Sequence, residues 1–260
     1  MSFHNLYIMP HGDELIDLPD DKSVIMRNHI VELARKDDSD VIVIISPHGM
    51  TVTDHIAVIN TEHFVAQTKL ANKVLDFQCR NERKLTEEII RQFPGFCIDV
   101  RFSTYSGELS LFPLDFGSSI PLYFFRQRDI VMIGQPRMED RLKLVDFGKK
   151  LYQIAKEYPK KVSVILSADQ AHTHSETGPY GYSEEAKKYE KILADSLSGG
   201  SLDAIYDLGS SIVQNAKPDS FWNMLILKGF LEESGMEMRI DFHYVAVYFG
   251  MLLAHSVRKK

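Results

Sequence analysis

Histidines follow three apolar stretches of this chain, each at the point where the stretch ends. His11 lies in a Pro-His-Gly triplet, and so does His48. His172 and His174 lie in a polar loop directly behind the apolar run Val162–Leu166. The carboxyl ends of parallel strands meet at one edge of a sheet, where α/β proteins commonly place their chemistry. The spacing therefore predicts one shared site.

The chemistry that these residue types favour is metal binding. His11 and His48, together with one carboxylate, could form a two-histidine, one-carboxylate triad, which leaves open positions on an iron for substrate and dioxygen. The proline before and the glycine after each histidine favour an exposed, sharply turning loop. We expect only one of His172 and His174 to enter the site. A histidine that binds no metal is suited to acid/base catalysis, since its ordinary pKa lies near neutrality.

Other histidines and aromatic residues have simpler explanations. Six histidines lie in strand or helix patterns, where we expect structural or exposed roles: His4, His29, His55, His63, His243 and His255. Phe242, Tyr244, Tyr248 and Phe249 form an aromatic-rich strand that we expect to belong to the core.

Strands must hold the three histidine loops in place. Val41–Ile45 is an unbroken run of β-branched residues, which is typical of a central strand covered on both faces. Phe3–Met9 and Val162–Leu166 are the strands before the other two loops. Ser23–Lys36 and Glu139–Tyr158 have helical periodicity. In the second of these, we expect Leu142 to face inward.

The remaining segments complete the predicted fold. Further strands are predicted at Thr53–Asn60, Ile98–Ser103, Ile120–Phe125, Ile130–Ile133, Met236–Phe249 and Leu252–Val257. Further helices are predicted over Leu70–Phe93, as either one helix or two of which the second covers Lys84–Phe93, from a Ser183 cap to about Leu197, over Leu202–Asn215, and over Asp219–Glu233 with Asp219 as the candidate cap. Strands and helices alternate up to residue 170, and strands return at the end. This order predicts a single three-layer α/β/α domain over residues 1–260 with a central mixed sheet.

Composition limits the possible partners and compartment. The net charge is −6, so there is no electrostatic case for nucleic acid. No apolar run approaches the ~20 residues that span a bilayer, and no signal peptide is recognisable. Cys79 and Cys97 form no metal-binding spacing, so we expect two ordinary thiols. These features predict a cytoplasmic protein, for which a homodimer is plausible.

Several motifs together resemble the class III extradiol dioxygenase superfamily. Its type member is the catalytic subunit of protocatechuate 4,5-dioxygenase, and it also includes Memo-like proteins. The resemblance covers nearly the whole chain. The matching parts are His11 after the first strand, Ser46–Gly49 after the second, Leu114–Gly117 with Ile120–Leu122, Ser167–His172 with Gly178–Tyr182, and the closing Val247–Gly250.

The resemblance implies a role for particular residues of this chain. It places the two metal-binding histidines at His11 and His48 and the acid/base residue at His172. The third ligand is a glutamate in most ring-cleaving members and lies shortly before a helix that ends in glycine. This chain has no glutamate there, and Asp219 is the nearest acid.

A second departure from the family concerns the substrate. Many members have a histidine in an Asp-His-Gly motif that contacts a substrate hydroxyl, whereas this chain has Phe116. Phenylalanine can neither donate a hydrogen bond nor take up a proton. Phe116 and Tyr180 are the expected substrate contacts. Several acids and one tyrosine could orient the histidines, and the sequence does not choose among them: Asp13, Glu14, Asp169, Glu176 and Tyr180. Of these, we take Glu14 and Asp169 as the expected orienting residues.

Three functions are compatible with these residues. The resemblance implies a non-haem Fe(II)-dependent extradiol dioxygenase of aromatic catabolism, which cleaves a catechol-like substrate with O2. The first alternative is a Memo-like metal-binding or redox protein without ring-cleaving activity. The second is a zinc-dependent hydrolase with a His-His-Asp site and a bound water. All three predict a small-molecule site and neither nucleic acid nor membrane as a partner.

Overall fold

The protein is described by a computed structural model that covers residues 3–101, 103, 110–125 and 128–259. The strands are β1 (Phe3–Met9), β2 (Val41–Ser46), β3 (Ile56–Asn60), β4 (His63–Lys69), β5 (Val74–Arg80), β6 (Cys97–Arg101), β7 (Leu111–Pro113), β8 (Asp129–Gly134), β9 (Val162–Ser167), β10 (Met236–Ala246) and β11 (Phe249–Arg258). The helices are α1 (Glu14–Asp17), α2 (Asp21–Lys36), α3 (Arg83–Gln92), α4 (Phe116–Phe124), α5 (Arg141–Glu157), α6 (Glu184–Gly199), α7 (Asp203–Tyr206), α8 (Ser210–Ala216) and α9 (Phe221–Ser234).

The large sheet has the strand order β10-β11-β1-β9-β2-β8-β3-β6. Its centre is parallel, because β1 pairs with β9, β9 with β2, and β2 with β8 in the same direction. The pairs β1–β11, β10–β11 and β3–β8 are antiparallel. The sheet is therefore mixed, as the sequence predicts. Every residue of β2 is buried, which confirms that this strand is central.

The register of the central strands brings their carboxyl ends to one level. Met9 is opposite Ser167, and Ile45 is opposite Leu166. The loops that carry His11, His48 and His172 therefore leave the sheet side by side. The C-terminal ends of β1, β2 and β9 form one edge of the sheet, which is where the shared site is expected.

Helices cover both faces of the sheet, and this confirms the three-layer prediction. On one face α5 packs closely against α9, because each helix has a glycine at the contact. A Cβ atom on Gly148 would lie 2.0 Å from the carbonyl oxygen of Ile226, and one on Gly229 would lie 1.8 Å from that of Val145. The other face carries α2, α4 and a small sheet of order β5-β4-β7. That residues 1–260 form one domain stays a prediction.

The predicted helix over Leu70–Phe93 is wrong in its first half. Val74–Arg80 is strand β5, which pairs antiparallel with β4, and helix α3 begins only at Arg83. Leu75, Phe77 and Cys79 alternate with exposed residues, which is the period of a strand rather than of a helix. The small sheet that this hairpin builds was not predicted.

The predicted strand Ile120–Phe125 is also wrong. These residues belong to helix α4, and the carboxylate of Asp115 caps the helix by accepting the amide hydrogen of Ser118. Residues 117–122 are all buried, and a short apolar run that is buried on all sides has no periodicity to separate a helix from a strand.

Smaller differences concern helix ends and one side chain. Leu202–Asn215 contains two short helices, α7 and α8, rather than one. Ser220, not Asp219, precedes α9 as its N-terminal cap, and neither side chain caps the helix. Leu142 is 56% exposed rather than inward-facing. Of the predicted strand Ile98–Ser103, residue 102 lies outside the described residues, and β6 ends at Arg101.

Two further sequence expectations concern cysteines and membranes. Cys79 and Cys97 are both free and buried, as expected for ordinary thiols. Among the described residues, no helix combines the length and the apolar composition that crossing a bilayer requires.

Candidate metal centre

Three side chains converge at the carboxyl edge of the central strands. His11 Nε2 lies 3.0 Å from His48 Nε2 and 3.1 Å from Asp219 Oδ2, and His48 Nε2 lies 3.0 Å from the same oxygen. Within the described ranges, this is the one group of three or more metal-ligating residue types whose ligand atoms meet. Two imidazole nitrogens and one carboxylate oxygen form the ligand set predicted from the sequence.

The tautomer of His11 is set by Ser167 at the end of β9. The Ser167 hydroxyl donates to the carbonyl oxygen of Gly117 at 2.5 Å, so its oxygen can only accept from His11 Nδ1 at 2.9 Å. Nδ1 therefore carries a hydrogen, and Nε2 is the nitrogen that can bind an ion. A hydrogen bond from the second ring nitrogen is the usual way in which proteins orient a metal-binding histidine.

The loop of His48 is held by Asp115, the residue that caps α4. The Ser46 hydroxyl donates to Asp115 Oδ1 at 2.6 Å. Gly117 lets the helix approach this loop, because a Cβ atom there would lie 2.8 Å from Ser46 Oγ and 3.1 Å from His48 Cδ2. The Leu-Asp-Phe-Gly motif thus positions a predicted ligand through its aspartate and its glycine.

Asp219 reaches the site from the segment that precedes α9. Its carbonyl oxygen accepts a hydrogen bond from Gln135 Nε2 at 2.7 Å. The next residue, Ser220, donates to the carbonyl oxygen of Asp169 at 2.5 Å, and Asn223 Nδ2 donates to that of Ser167 at 2.8 Å. These contacts attach the segment to the loops at the sheet edge, so the carboxylate is fixed although it lies 208 residues from His11 in the chain.

Carboxylates strongly influence the protonation of the site. Burial alone would lower the pKa of His11, but the carboxylates of Asp169 and Asp219 raise it to about 9. Burial would raise the pKa of Asp219, but His11 and His48 hold it well below its usual range. Without a metal, His11 therefore carries a proton between carboxylates at neutral pH, and a bound cation would take the place of that proton.

The donor set suits a divalent transition metal. Asp219 Oδ1 is buried and has no hydrogen-bond partner within the described residues, so the carboxylate is not saturated by the protein. A buried oxygen without a partner is costly unless something else, such as an ion, satisfies it. Imidazole nitrogens with one carboxylate are the ligands of non-haem iron and of zinc sites.

His172 stands beside this centre with one ring nitrogen fully engaged. Its Nδ1 lies 2.7 Å from the carbonyl oxygen of Gln170 and 3.1 Å from that of Lys217, and carbonyl oxygens only accept. Nδ1 therefore carries the hydrogen, and Nε2 forms no hydrogen bond with the described residues. The ring stacks on Phe249 with centroids 5.5 Å apart. In its neutral form, His172 thus offers Nε2 as a base.

His174, two residues further on, turns away from the centre. Its side chain is nearly buried, and its Nε2 lies 3.5 Å from a carboxylate oxygen of Glu190. Of the two loop histidines, His172 lines the cavity at the site and His174 does not.

A cavity of about 680 Å³ opens over the centre. His48, Asp219, His172 and Tyr180 line it, together with Trp222 and other residues of the α8–α9 region. Tyr180 is 54% exposed, and its ring lies edge-on to His172 at 5.9 Å. The volume is in the range of small-molecule sites.

Phe116 packs directly on the predicted ligands. Its ring centroid lies 4.1 Å from that of His48 and 5.7 Å from that of His11, and the side chain remains 43% exposed. The structure therefore brings Phe116 to the site, where it presents an apolar surface in place of a polar one.

The two predicted orienting acids differ in what they contact. Asp169 accepts the amide hydrogen of His11 at 3.0 Å, and its second oxygen lies 3.4 Å from His11 Nε2. Burial raises the pKa of Asp169. Glu14 forms no hydrogen bond with a predicted ligand, and its Oε2 is buried without a partner among the described residues. Burial raises the pKa of Glu14 to about 7.

Sequence reasoning did not assign a role to four residues that position the site. Ser167 and Asp115 lie inside the motifs that carry the family resemblance, so that resemblance could have pointed to them. Gln135 and Asn223 have no local signal, because their partners are backbone carbonyls distant in the chain.

The chain matches known proteins over almost its whole length. Residues 6–254 match the family described as the catalytic LigB subunit of aromatic ring-opening dioxygenase. Protein CA_C1420 of Clostridium acetobutylicum is 25% identical over 254 residues, which cover 89% of this chain and 53% of that protein. The chain thus spans about half the length of this relative.

A solved structure supports the fold. The crystal structure of the uncharacterized protein JW3007 from Escherichia coli K12 aligns with a TM-score of 0.64 at 12% identity. The alignment covers 96% of this chain and 98% of the other. At this identity the likeness concerns the fold alone.

Proposed function

Because the chain belongs to the family of the catalytic LigB subunit of aromatic ring-opening dioxygenase, we propose that it is a non-haem Fe(II)-dependent extradiol dioxygenase. Its substrate would be a catechol-like aromatic compound, cleaved with O2. The observation that carries the proposal is the convergence of His11, His48 and Asp219 beneath an open cavity. Such a triad occupies one side of an ion and leaves the other side for substrate and dioxygen.

The ligand atoms lie close enough together to share one ion, and membership of a ring-opening dioxygenase family favours iron over a zinc hydrolase. The three separations here are 3.0, 3.0 and 3.1 Å. When bound, Fe(II) would supply a Lewis acid that holds the substrate oxygens next to O2 and a route for electrons between them.

His172 is the residue that we assign to proton transfer. A catechol hydroxyl that loses its proton on binding needs an acceptor, and His172 Nε2 is an unengaged base at the cavity wall. The carbonyl oxygens of Gln170 and Lys217 keep the Nδ1 hydrogen in place, so the ring can accept a proton at Nε2 and return it to a product oxygen.

Phe116 and Tyr180 would bind the ring of the substrate. Phe116 covers one side of the His48 ring, but it cannot share in proton transfer. Members with a histidine at this position have two proton-handling groups, whereas this chain would depend on His172. Substrate hydroxyls near Phe116 would then be held by the metal rather than by a side chain.

A Memo-like metal-binding or redox protein without ring cleavage is the second candidate. Phe116 favours it, since the family's substrate-contacting histidine is replaced, and so does Asp219 in place of the usual glutamate. This candidate shares the metal centre with the first and differs in the absence of turnover.

Metal analysis of protein purified without oxygen tests the proposal. We expect near-stoichiometric iron, and ring-opened yellow products from at least one member of a catechol panel. His11→Ala and His48→Ala should lose both, whereas His55→Ala, which changes a histidine remote from the centre, should keep both. Iron without turnover would favour the second candidate. Zinc with esterase or amidase activity would contradict both and support the hydrolase.

A further inference from the structure

A further buried carboxylate lies behind the loop that carries His172. Glu190 of α6 is only 6% exposed. Its Oε1 accepts the amide hydrogen of Ala171 at 3.0 Å, and its Oε2 lies 2.6 Å from His243 Nε2 on β10. His174 Nε2 lies 3.5 Å from Oε1. The carboxylate thus joins a helix, the edge strand of the large sheet and the loop.

Gly250 makes room for this carboxylate. A Cβ atom on Gly250 would lie 1.8 Å from Glu190 Oε1 and 2.5 Å from its carboxyl carbon. The backbone of Gly250 also binds the loop, since its amide donates to Ala171 at 2.9 Å and its carbonyl accepts from Gln170 at 2.8 Å. The absence of a side chain at Gly250 in β11 therefore permits the close approach of Glu190, at the same residue that binds the loop.

The contact with Ala171 is one peptide away from His172. The amide of His172 donates to the carbonyl oxygen of Ala216 at 2.8 Å, and its ring nitrogen Nδ1 to those of Gln170 and Lys217. These bonds leave Nε2 unengaged only while the backbone of residues 170–172 keeps its conformation. Glu190 is a buried acid that binds this backbone segment directly, at the amide of Ala171.

The surroundings of Glu190 favour a charged carboxylate. Burial would raise its pKa, but His174 and His243 lower it overall. Tyr189, the preceding residue on α6, is a further titratable group that interacts with it electrostatically. A charged acceptor forms a stronger hydrogen bond to a backbone amide than a neutral one does.

We propose that Glu190 is a positioning residue for His172. Its carboxylate, placed between His243 and His174, fixes the Ala171 amide so that the His172 ring keeps Nδ1 on the backbone carbonyls and Nε2 in the cavity. The role in catalysis rests on the proposed function, whereas the orientation of the ring does not.

Nitrogen-detected NMR of the histidine imidazoles tests the orientation without any turnover. The full chain is measured with and without Zn²⁺, which is diamagnetic. In the wild type, His172 should show a single Nδ1–H tautomer. Glu190→Ala should lose it and give averaged tautomers, and Glu190→Gln should largely restore it, because an amide oxygen can still accept from Ala171. Asp195→Asn changes an exposed acid on the same helix and should resemble the wild type.

Turnover on any catechol that the wild type cleaves gives the second readout. Glu190→Ala should lower kcat by about 10- to 100-fold through misplacement of His172, with KM changed by less than about twofold. If Glu190→Ala does not fold, as judged by circular dichroism, His243→Gln replaces it and should change the tautomer in the same direction.

A folded Glu190→Ala or His243→Gln protein with an unchanged His172 tautomer overturns the inference. Loss of the tautomer in a protein whose wild type cleaves no catechol would support the positioning role and reject the proposed function. The two failures are therefore distinguishable.

Discussion

Two clusters in this protein have the same composition, one carboxylate beside two histidines, and different chemistry. In the first, the Nε2 atoms of His11 and His48 meet a single oxygen of Asp219. In the second, both oxygens of Glu190 are used, since one binds a backbone amide and the other His243. The first cluster opens to a cavity and leaves one carboxylate oxygen without a partner among the described residues.

The comparison shows that convergence, rather than residue type, separates a candidate metal site from a structural one. The ligand atoms of the first cluster can share one ion, because they surround one point. Those of the second do not converge in this way, and its carboxylate is already satisfied by the protein. Both oxygens of Glu190 have partners, whereas Asp219 keeps one oxygen without a partner among the described residues, next to two imidazole nitrogens that could share an ion with it.

The largest expected difference between the clusters is in metal affinity. His11→Ala and His48→Ala should weaken Fe(II) or Zn²⁺ binding by more than about 100-fold, since loss of an orienting partner alone costs about 10- to 100-fold. His243→Ala, in the second cluster, should retain stoichiometric metal by mass spectrometry and calorimetry. Loss of metal in His243→Ala to the same extent would remove the distinction.

The second difference is in stability, and it runs the opposite way. Glu190→Ala should lower the free energy of unfolding by about 3 kcal/mol, because it leaves buried partners unsatisfied. Asp219→Ala in the metal-free protein loses the contacts of Oδ2 with His11 and His48 but also removes the repulsion between the carboxylates of Asp219 and Asp169, so it should cost less than Glu190→Ala. Urea unfolding of the two variants measures both values. Equal costs would mean that Asp219 also has a structural role.

Ser167 tests how the first cluster is oriented. Ser167→Ala removes the acceptor of His11 Nδ1–H and should weaken metal binding by about 10-fold. Ser163→Ala is the matched control on the same strand, because its hydroxyl donates to Asp37 far from the centre. That variant should change metal affinity little, whatever it does to stability. An unchanged affinity in Ser167→Ala would show that the serine does not set the tautomer.

The smallest expected effect concerns Glu14. This carboxyl group is buried like those of the two clusters, but it has no histidine partner among the described residues. Burial raises its pKa to about 7 from an ordinary 4.5, so the folded protein binds this proton more tightly than the unfolded chain. The uncharged Glu14 contributes its full stability below pH 4.5. This contribution is lost as the pH rises from 4.5 through 7, because the unfolded chain then gives up the proton more readily than the folded protein does.

Glu14→Gln should therefore match the wild type near pH 5 and exceed it in stability at pH 8, by about 1 kcal/mol after allowance for solvent screening. Thermal unfolding at both pH values measures the difference. Glu87→Gln, at an exposed position on α3, is the matched control substitution. A gain of equal size at pH 5 would contradict the assigned pKa.

Much of this site could be predicted from sequence because its histidines follow strands with strong local patterns. The run Val41–Ile45 is β-branched throughout, which favours a covered strand, and the patterns of β1 and β9 are almost as clear. Once these strands are parallel neighbours, their C-terminal loops must lie together. The prediction that His11, His48 and His172 lie together therefore rested on local signals. The family resemblance then assigned a role to each of them.

The errors arose where local pattern was ambiguous. Ile120–Phe125 is apolar throughout, so its pattern does not separate a helix from a strand, and the cap at Asp115 marks the start of the helix. Leu75, Phe77 and Cys79 have strand periodicity, but their partner strand β4 was not recognised. In both segments the secondary structure depends on contacts with residues that are distant in the chain.

The sequence by itself determined which strands carry histidines, and the resemblance pointed to Asp219 as the nearest acid. Only the tertiary structure decided that Asp219 meets His11 across 208 residues, that Ser167 sets the tautomer, and that His174 turns to Glu190. The physical reason is that backbone periodicity is a local property. The direction of a side chain and the protons it can share are set by partners that folding brings from distant parts of the chain.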